Sequence, residues 1–125
     1  MTSSRQMVER RKHERFRVPK GIFTVLKPGY TKMGSVIDIS IGGLAFRYID
    51  GEEPSSGTNM DIFMFGDLFH LDDVPVKTIS DIELVHGRPY VAVTIRRCGV
   101  QFGELTDRQK IQLEQCIEKY AIREA

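Results

Sequence analysis

The chain has 125 residues, enough for one domain that buries roughly two-thirds of the surface its unfolded chain exposes. Apolar residues make up 41% and charged residues 28%, the proportions of an ordinary globular domain rather than of a disordered or fibrous chain. No segment approaches the roughly 20 apolar residues of a membrane span, and the first twenty residues lack the apolar core of a secretory signal, so the expectation is a cytoplasmic protein without membrane insertion.

The formal charge of +1 hides an uneven distribution. Residues 1–20 carry seven Lys or Arg against Glu9 and Glu14, whereas 21–125 carry eleven basic and fifteen acidic side chains. A basic arm on a mildly acidic body concentrates anion affinity at one place and argues against long nucleic acid as a partner. Cys98 and Cys116 have no C-x-x-C spacing and no companion cluster, which gives neither a zinc site nor a disulfide framework.

In chain order the arm comes first: 1–9 reads as a flexible segment, and Arg10-Arg11-Lys12-His13-Glu14-Arg15 contains an R-x-x-x-R pair, Arg11 and Arg15. Strands follow. Gly21–Lys27 is a β-rich run stopped by Pro28-Gly29. Met33–Ile41 alternates, with Ile37, Ile39 and Ile41 on one face and Val36, Asp38 and Ser40 on the other. Gly42-Gly43 is read as the two-residue turn into a strand over Leu44–Ile49, with positive φ at its glycines. After the polar loop Asp50–Gly57 come strand candidates at Asn59–Phe65, Val74–Leu84, Tyr90–Ile95 and Gly99–Phe102, with turns at Gly66-Asp67 and His86-Gly87. Short strands at this spacing predict a sandwich or closed barrel. Thr106 and Gln109 form a capping box, and Leu113, Cys116, Ile117 and Tyr120 make one apolar stripe of a helix that packs on a barrel opening.

Asp38-Ile39-Ser40-Ile41-Gly42-Gly43 is a D-x-S-x-x-G hairpin. An ionised carboxylate is the natural acceptor for the N1–H and N2 amine of guanine, so Asp38 suits that edge. Arginine forks suit phosphates and the O6/N7 edge of guanine. Ser40 adds a hydroxyl on the same face, and Gly43 is read as letting backbone approach the ligand. Each element alone is common as a plain polar hairpin or a solvated basic face. Their combination, in this order, suggests a guanine-nucleotide receptor.

With Arg11-x-x-x-Arg15, Asp38-x-Ser40-x-x-Gly43 and the late strand Arg97-Cys98-Gly99-Val100-Gln101-Phe102 running into the last helix, nearly the whole chain resembles the PilZ family of bacterial cyclic di-GMP receptors. The resemblance implies a mainly β, single-domain fold: an antiparallel six-stranded, split β-barrel with a C-terminal α-helix packed on it and a flexible basic N-terminal arm. It places that domain at 10–122, with the arm at 10–17, the barrel at 20–103 and the helix at 106–122. It also implies ligand binding by Arg10, Arg11, Arg15, Asp38, Ser40 and Gly43, with Arg10 favouring a stacked pair of cyclic di-GMP molecules over one. No cofactor and no catalysis are expected, and an unidentified protein effector is expected to sense ordering of the arm.

The competing readings are weaker. A PilZ-type adaptor in pilus or motility control that binds no ligand is disfavoured by the intact motifs. A barrel for single-stranded nucleic acid would interleave aromatic and basic residues on exposed strands, of which only Phe16 between Arg15 and Arg17 gives a hint. His13, Glu14, His70 and His86 lie scattered, without metal or catalytic spacing. Arg96 and Arg97 either face the ligand or solvate a strand end, the second being favoured; Lys12 and Arg17 are read as adding field only, and Phe63, Phe65, Phe69 and Phe102 as core.

Overall fold

The computed structural model describes residues 15–17, 21–27, 32–49, 57–64, 70–85, 94–120 and 122–123. Within them the strands are β1 (Phe16–Arg17), β2 (Ile22–Lys27), β3 (Lys32–Ser40), β4 (Gly43–Ile49), β5 (Asn59–Met64), β6 (His70–Val85), β7 (Ile95–Phe102) and β8 (Ile122–Arg123). One helix, α1 (Asp107–Tyr120), follows β7. All pairings are antiparallel: β2, β5, β6, β7, β4 and β3 neighbour one another in that order, and β3 returns to β2. The expected six-stranded barrel with a C-terminal helix is the fold.

β3 explains why the barrel is split. Residues 32–35 pair with β2 and close the barrel, whereas Ile39 and Asp38 pair with Phe16 and Arg17 of β1. β8 pairs with β1 in turn. The first and last described strands thus pair with each other, β1 joining them to β3 beside the D-x-S-x-x-G hairpin.

The core consists of inward residues from all six barrel strands, among them Ile22, Leu26, Ile39, Leu44, Phe46, Met60, Ile62, Val74 and Val100. Leu113 and Cys116 of α1 belong to the same cluster, and Ile117 packs against it, as the apolar stripe predicts. The start of α1 is fixed by the expected capping box: the Gln109 amide donates to Thr106 Oγ1 at 3.1 Å, and the Thr106 amide to Gln109 Oε1 at 3.0 Å. Gln109 Nε2 also donates to the Asp72 carbonyl at 3.0 Å, which ties the helix to β6. Asp73, next to that contact, has φ 52°, and its amide donates to Asp61 Oδ1 at 2.9 Å. No helix among the described residues is long and apolar enough to cross a membrane.

Several sequence expectations are corrected. The β3–β4 turn is Ile41-Gly42, flanked by the pair Ser40 and Gly43; Gly43 is the first residue of β4 and has no positive φ. A register shift between Val36 and Asp38 breaks the strict alternation, so Val36 and Ile39 both enter the core while Ile41 is exposed. Arg96 and Arg97 lie inside one continuous strand, β7, rather than at the end of a shorter one. Phe102 is core, whereas Phe63 is only partly buried and stacks on Phe23. Phe65, Phe69, the turns at 66–67 and 86–87, and residues 90–93 lie outside the described residues, as do Lys12, His13, Glu14 and His86.

Candidate ligand site on the outer barrel face

Registered partners on neighbouring strands share a sheet face. Asp38 is opposite Ala45, which is opposite Gly99 and, across β6, Ser80. In the adjacent row, Ser40, Gly43, Gln101 and Lys77 share the same outward face. At the centre of this patch stand Ala45, Gly43 and Gly99, a buried shelf whose own side chains are no larger than a methyl. Charged and polar groups stand around its rim.

The shelf requires its glycines. A Cβ on Gly43 would lie 2.2 Å from the Val100 carbonyl oxygen, and one on Gly99 would lie 2.5 Å from Ser80 Oγ. Close packing of β4 on the backbone of β7 thus requires a glycine at position 43.

Asp38 is 4% exposed although it faces outward, because two arginines hold it. Arg15 Nη1 donates to Oδ1 at 3.1 Å, and Arg97 Nη2 donates to Oδ2 at 2.8 Å. A buried carboxylate needs such partners, since leaving a charge unpaired costs several kcal/mol. Ser40 is 6% exposed and pins the turn: its Oγ accepts from the Gly42 amide at 3.1 Å and donates to the Gly43 carbonyl at 3.3 Å. One lone pair of that hydroxyl stays available to an incoming donor.

Beside the shelf a cavity of about 540 Å³ runs from the hairpin to the first turns of α1. Arg15, Ser40 and Gly43 line one side, and Leu105, Lys110 and Glu114 the other. Its size falls within the roughly 300–1,000 Å³ of small-molecule sites. Neither Asp38 nor Arg97 is on its wall; Asp38 adjoins the cavity through Arg15.

The structure thus gathers four of the six residues expected at the site, Arg15, Asp38, Ser40 and Gly43. Arg10 and Arg11 lie outside the described residues. Lys110, which the sequence did not single out, lines the cavity, and Arg97, for which a ligand contact was left open, bonds Asp38. Neither Arg96 nor Arg97 is merely solvated: Arg96 Nε donates to Asp81 Oδ1 at 2.8 Å, and the Tyr48 hydroxyl donates to Asp81 Oδ2 at 2.6 Å. Burial and then this bond to Asp81 raise the Tyr48 pKa beyond the ordinary phenol range. Elsewhere, Asp61, His70 and Asp72 come together at the β5–β6 end, but Lys27 Nζ already lies 3.1 Å from Asp61 and 2.6 Å from Asp73.

The six-stranded barrel with its C-terminal helix, and the carboxylate, hydroxyl and arginine brought together at its β3–β4 hairpin, define the class of fold. The chain belongs to the PilZ domain family, whose model matches residues 9–119. Its fold is similar to that of the PilZ domain of YcgR from Escherichia coli with c-di-GMP, at 15% identity and a TM-score of 0.64, over 89% of this chain and 91% of that one. It is also similar to the longer YcgR chain of E. coli in complex with c-di-GMP (20% identity, TM-score 0.64, 87% and 45% of the two chains). The K. pneumonia MrkH–c-di-GMP complex gives 14% identity and a TM-score of 0.63, over 86% and 51%. The chain thus spans about half the length of those two longer proteins. No curated protein matches it by sequence.

Proposed function

We propose that this chain is a non-catalytic cytoplasmic receptor for cyclic di-GMP. The observation that carries the reading is the Asp38 carboxylate, held at the D-x-S-x-x-G hairpin by Arg15 of the R-x-x-x-R pair. Asp38 takes the N1–H and N2 amine of one guanine, and Ser40 accepts a further donor. Arg11 and Arg15 take the phosphates and the O6/N7 edge, and Gly43 keeps the shelf flat. The family match and the c-di-GMP named for YcgR and MrkH support the same ligand.

The functional unit on this reading is 10–122, with 1–9 outside it. Arg10 adds a guanidinium plane for a second, stacked cyclic di-GMP molecule. Ligand contacts of Arg11 and Arg15 order the arm, 10–17, against the barrel, and a protein effector senses that ordering. Calorimetric titration with cyclic di-GMP, GTP and cyclic di-AMP tests the proposal. Micromolar or tighter binding of cyclic di-GMP, with the other two much weaker, is expected; no heat from cyclic di-GMP overturns it.

A further inference from the structure

Arg97 is the side chain at this site that neither motif contains, and it is anchored differently from Arg15. Arg15 stands just before the two-residue β1. Arg97 lies inside β7, registered with Arg47 of β4 on one side and Ile82 of β6 on the other, so its backbone is fixed. It reaches Asp38 across β4, where Ala45 lies between Asp38 and Gly99 in the register. When ligand phosphates draw Arg15 off, Oδ1 is freed while Arg97 remains on Oδ2. A carboxylate oxygen has two lone-pair sites, so Oδ2 accepts a second donor without losing Arg97.

What remains is an ordered array: acceptor Oδ1, acceptor Oδ2, and the N–H donors of a guanidinium fixed beside Oδ2. The Watson–Crick edge of guanine presents the complement in line, N2 amine donor, N1–H donor and O6 acceptor. The array repeats what cytosine offers guanine. We propose that Asp38 and Arg97 together form a cytosine-like reader of the guanine edge, with Asp38 accepting from N2 and N1 and Arg97 donating to O6. Arg97 is then a ligand-binding and specificity residue. Adenine is rejected at two positions: its N1 acceptor faces a carboxylate oxygen, and its N6 amine faces the guanidinium.

This inference rests on the cyclic di-GMP reading, and its test separates the two. Wild type, Arg97→Ala and Arg97→Lys are titrated at neutral pH with cyclic di-GMP and with its 6-thioguanine analogue, which keeps N1–H and the N2 amine but replaces O6 by a poor acceptor. A hydrogen bond to a charged donor predicts that wild type prefers the oxygen form by about tenfold or more. Arg97→Ala weakens cyclic di-GMP by a similar factor, binds the two ligands alike, and so loses the preference. Arg97→Lys keeps a charge against Asp38 but has a shorter reach and no planar fork, so its preference is reduced. It carries the test alone if the alanine variant does not fold. Equal weakening of both ligands, with the preference kept, makes Arg97 a mere clamp for Asp38 and overturns the inference while leaving the receptor reading intact. Absence of cyclic di-GMP binding by wild type overturns both.

Discussion

Replacing Gly43 by alanine separates the shelf from the ligand, because the harm is done by the barrel itself. The new methyl would sit 2.2 Å from the Val100 carbonyl oxygen and 3.2 Å from the Gln101 Cα. Both are backbone, so no side chain can swing away, and β4 must part from β7 by about 1 Å to reach ordinary van der Waals contact. That movement strains the Gly43 and Gln101 pairing and the 2.8 Å bond from the Phe102 amide to the Gly42 carbonyl. Overpacking costs about 1–3 kcal/mol, and one weakened backbone bond adds about 1 kcal/mol. For a domain between the small and mid-sized classes, with roughly 4 °C per kcal/mol, the melting temperature should fall by about 8–16 °C. Thermal denaturation followed by circular dichroism, without ligand, measures this. Gly103→Ala is the comparison: its nearest atoms are Pro75 ring carbons at 3.1 and 3.3 Å, which need give by only a few tenths of an ångström, so a smaller shift than at Gly43 is expected there. A Gly43→Ala melt indistinguishable from wild type would refute the close-approach reasoning.

Arg15→Ala and Asp38→Ala should each weaken cyclic di-GMP at least tenfold by calorimetry, since charge-assisted hydrogen bonds contribute about 1.5–3 kcal/mol; unchanged affinity in either sinks that assignment. Arg10→Leu should lower the ligand-to-protein ratio from about two towards one, as loss of one guanidinium plane from a stacked pair requires; a wild-type ratio near one rules the stacked pair out. Burial pushes the Cys116 thiol up to about 11, so its thiolate appears only as pH approaches that value. Maleimide at mildly alkaline pH should therefore leave Cys116 unmodified in the folded protein and label it in denaturant, as read by peptide mass mapping.

The parts of this molecule that depend on local chemistry were legible in the sequence. The Thr106 and Gln109 box started the helix where its residues said, and the stripe of Leu113, Cys116 and Ile117 met the core. Asp38 and Ser40 share a face because a strand has period two on either side of its bulge. What depends on register was not legible. Arg97 meets Asp38 across 59 residues of sequence and an intervening strand, and no periodicity within β7 encodes that. The same cause split β7 in the sequence reading: two consecutive arginines look like a strand end until Asp81 and Asp38 are seen to neutralise them. At Gly43 the close approach of the β7 backbone was equally hidden, because it leaves the same glycine in the sequence as a close approach by ligand would.

The unequal anchoring of the two arginines has an energetic consequence on the proposed reading. Opening the site requires breaking the contact between Arg15 and Asp38, an ion pair whose arginine side chain is 26% exposed. The Asp38 side chain is only 5% exposed, so the pair stands between a surface pair and a buried one, with solvent reaching it from the Arg15 side. Asp38 also keeps Arg97, so it is never left as an unpaired buried charge, the outcome that makes breaking such pairs costly. The ligand then spends little of its binding free energy on entry. Arg15 exchanges one carboxylate for a phosphate, a change of partner rather than a loss, and Arg97 holds the reading edge in place throughout. An arm that moves at low cost around a carboxylate that does not move is the arrangement a sensor needs. The ordering of the arm can follow ligand concentration while the selectivity for guanine stays fixed in the barrel.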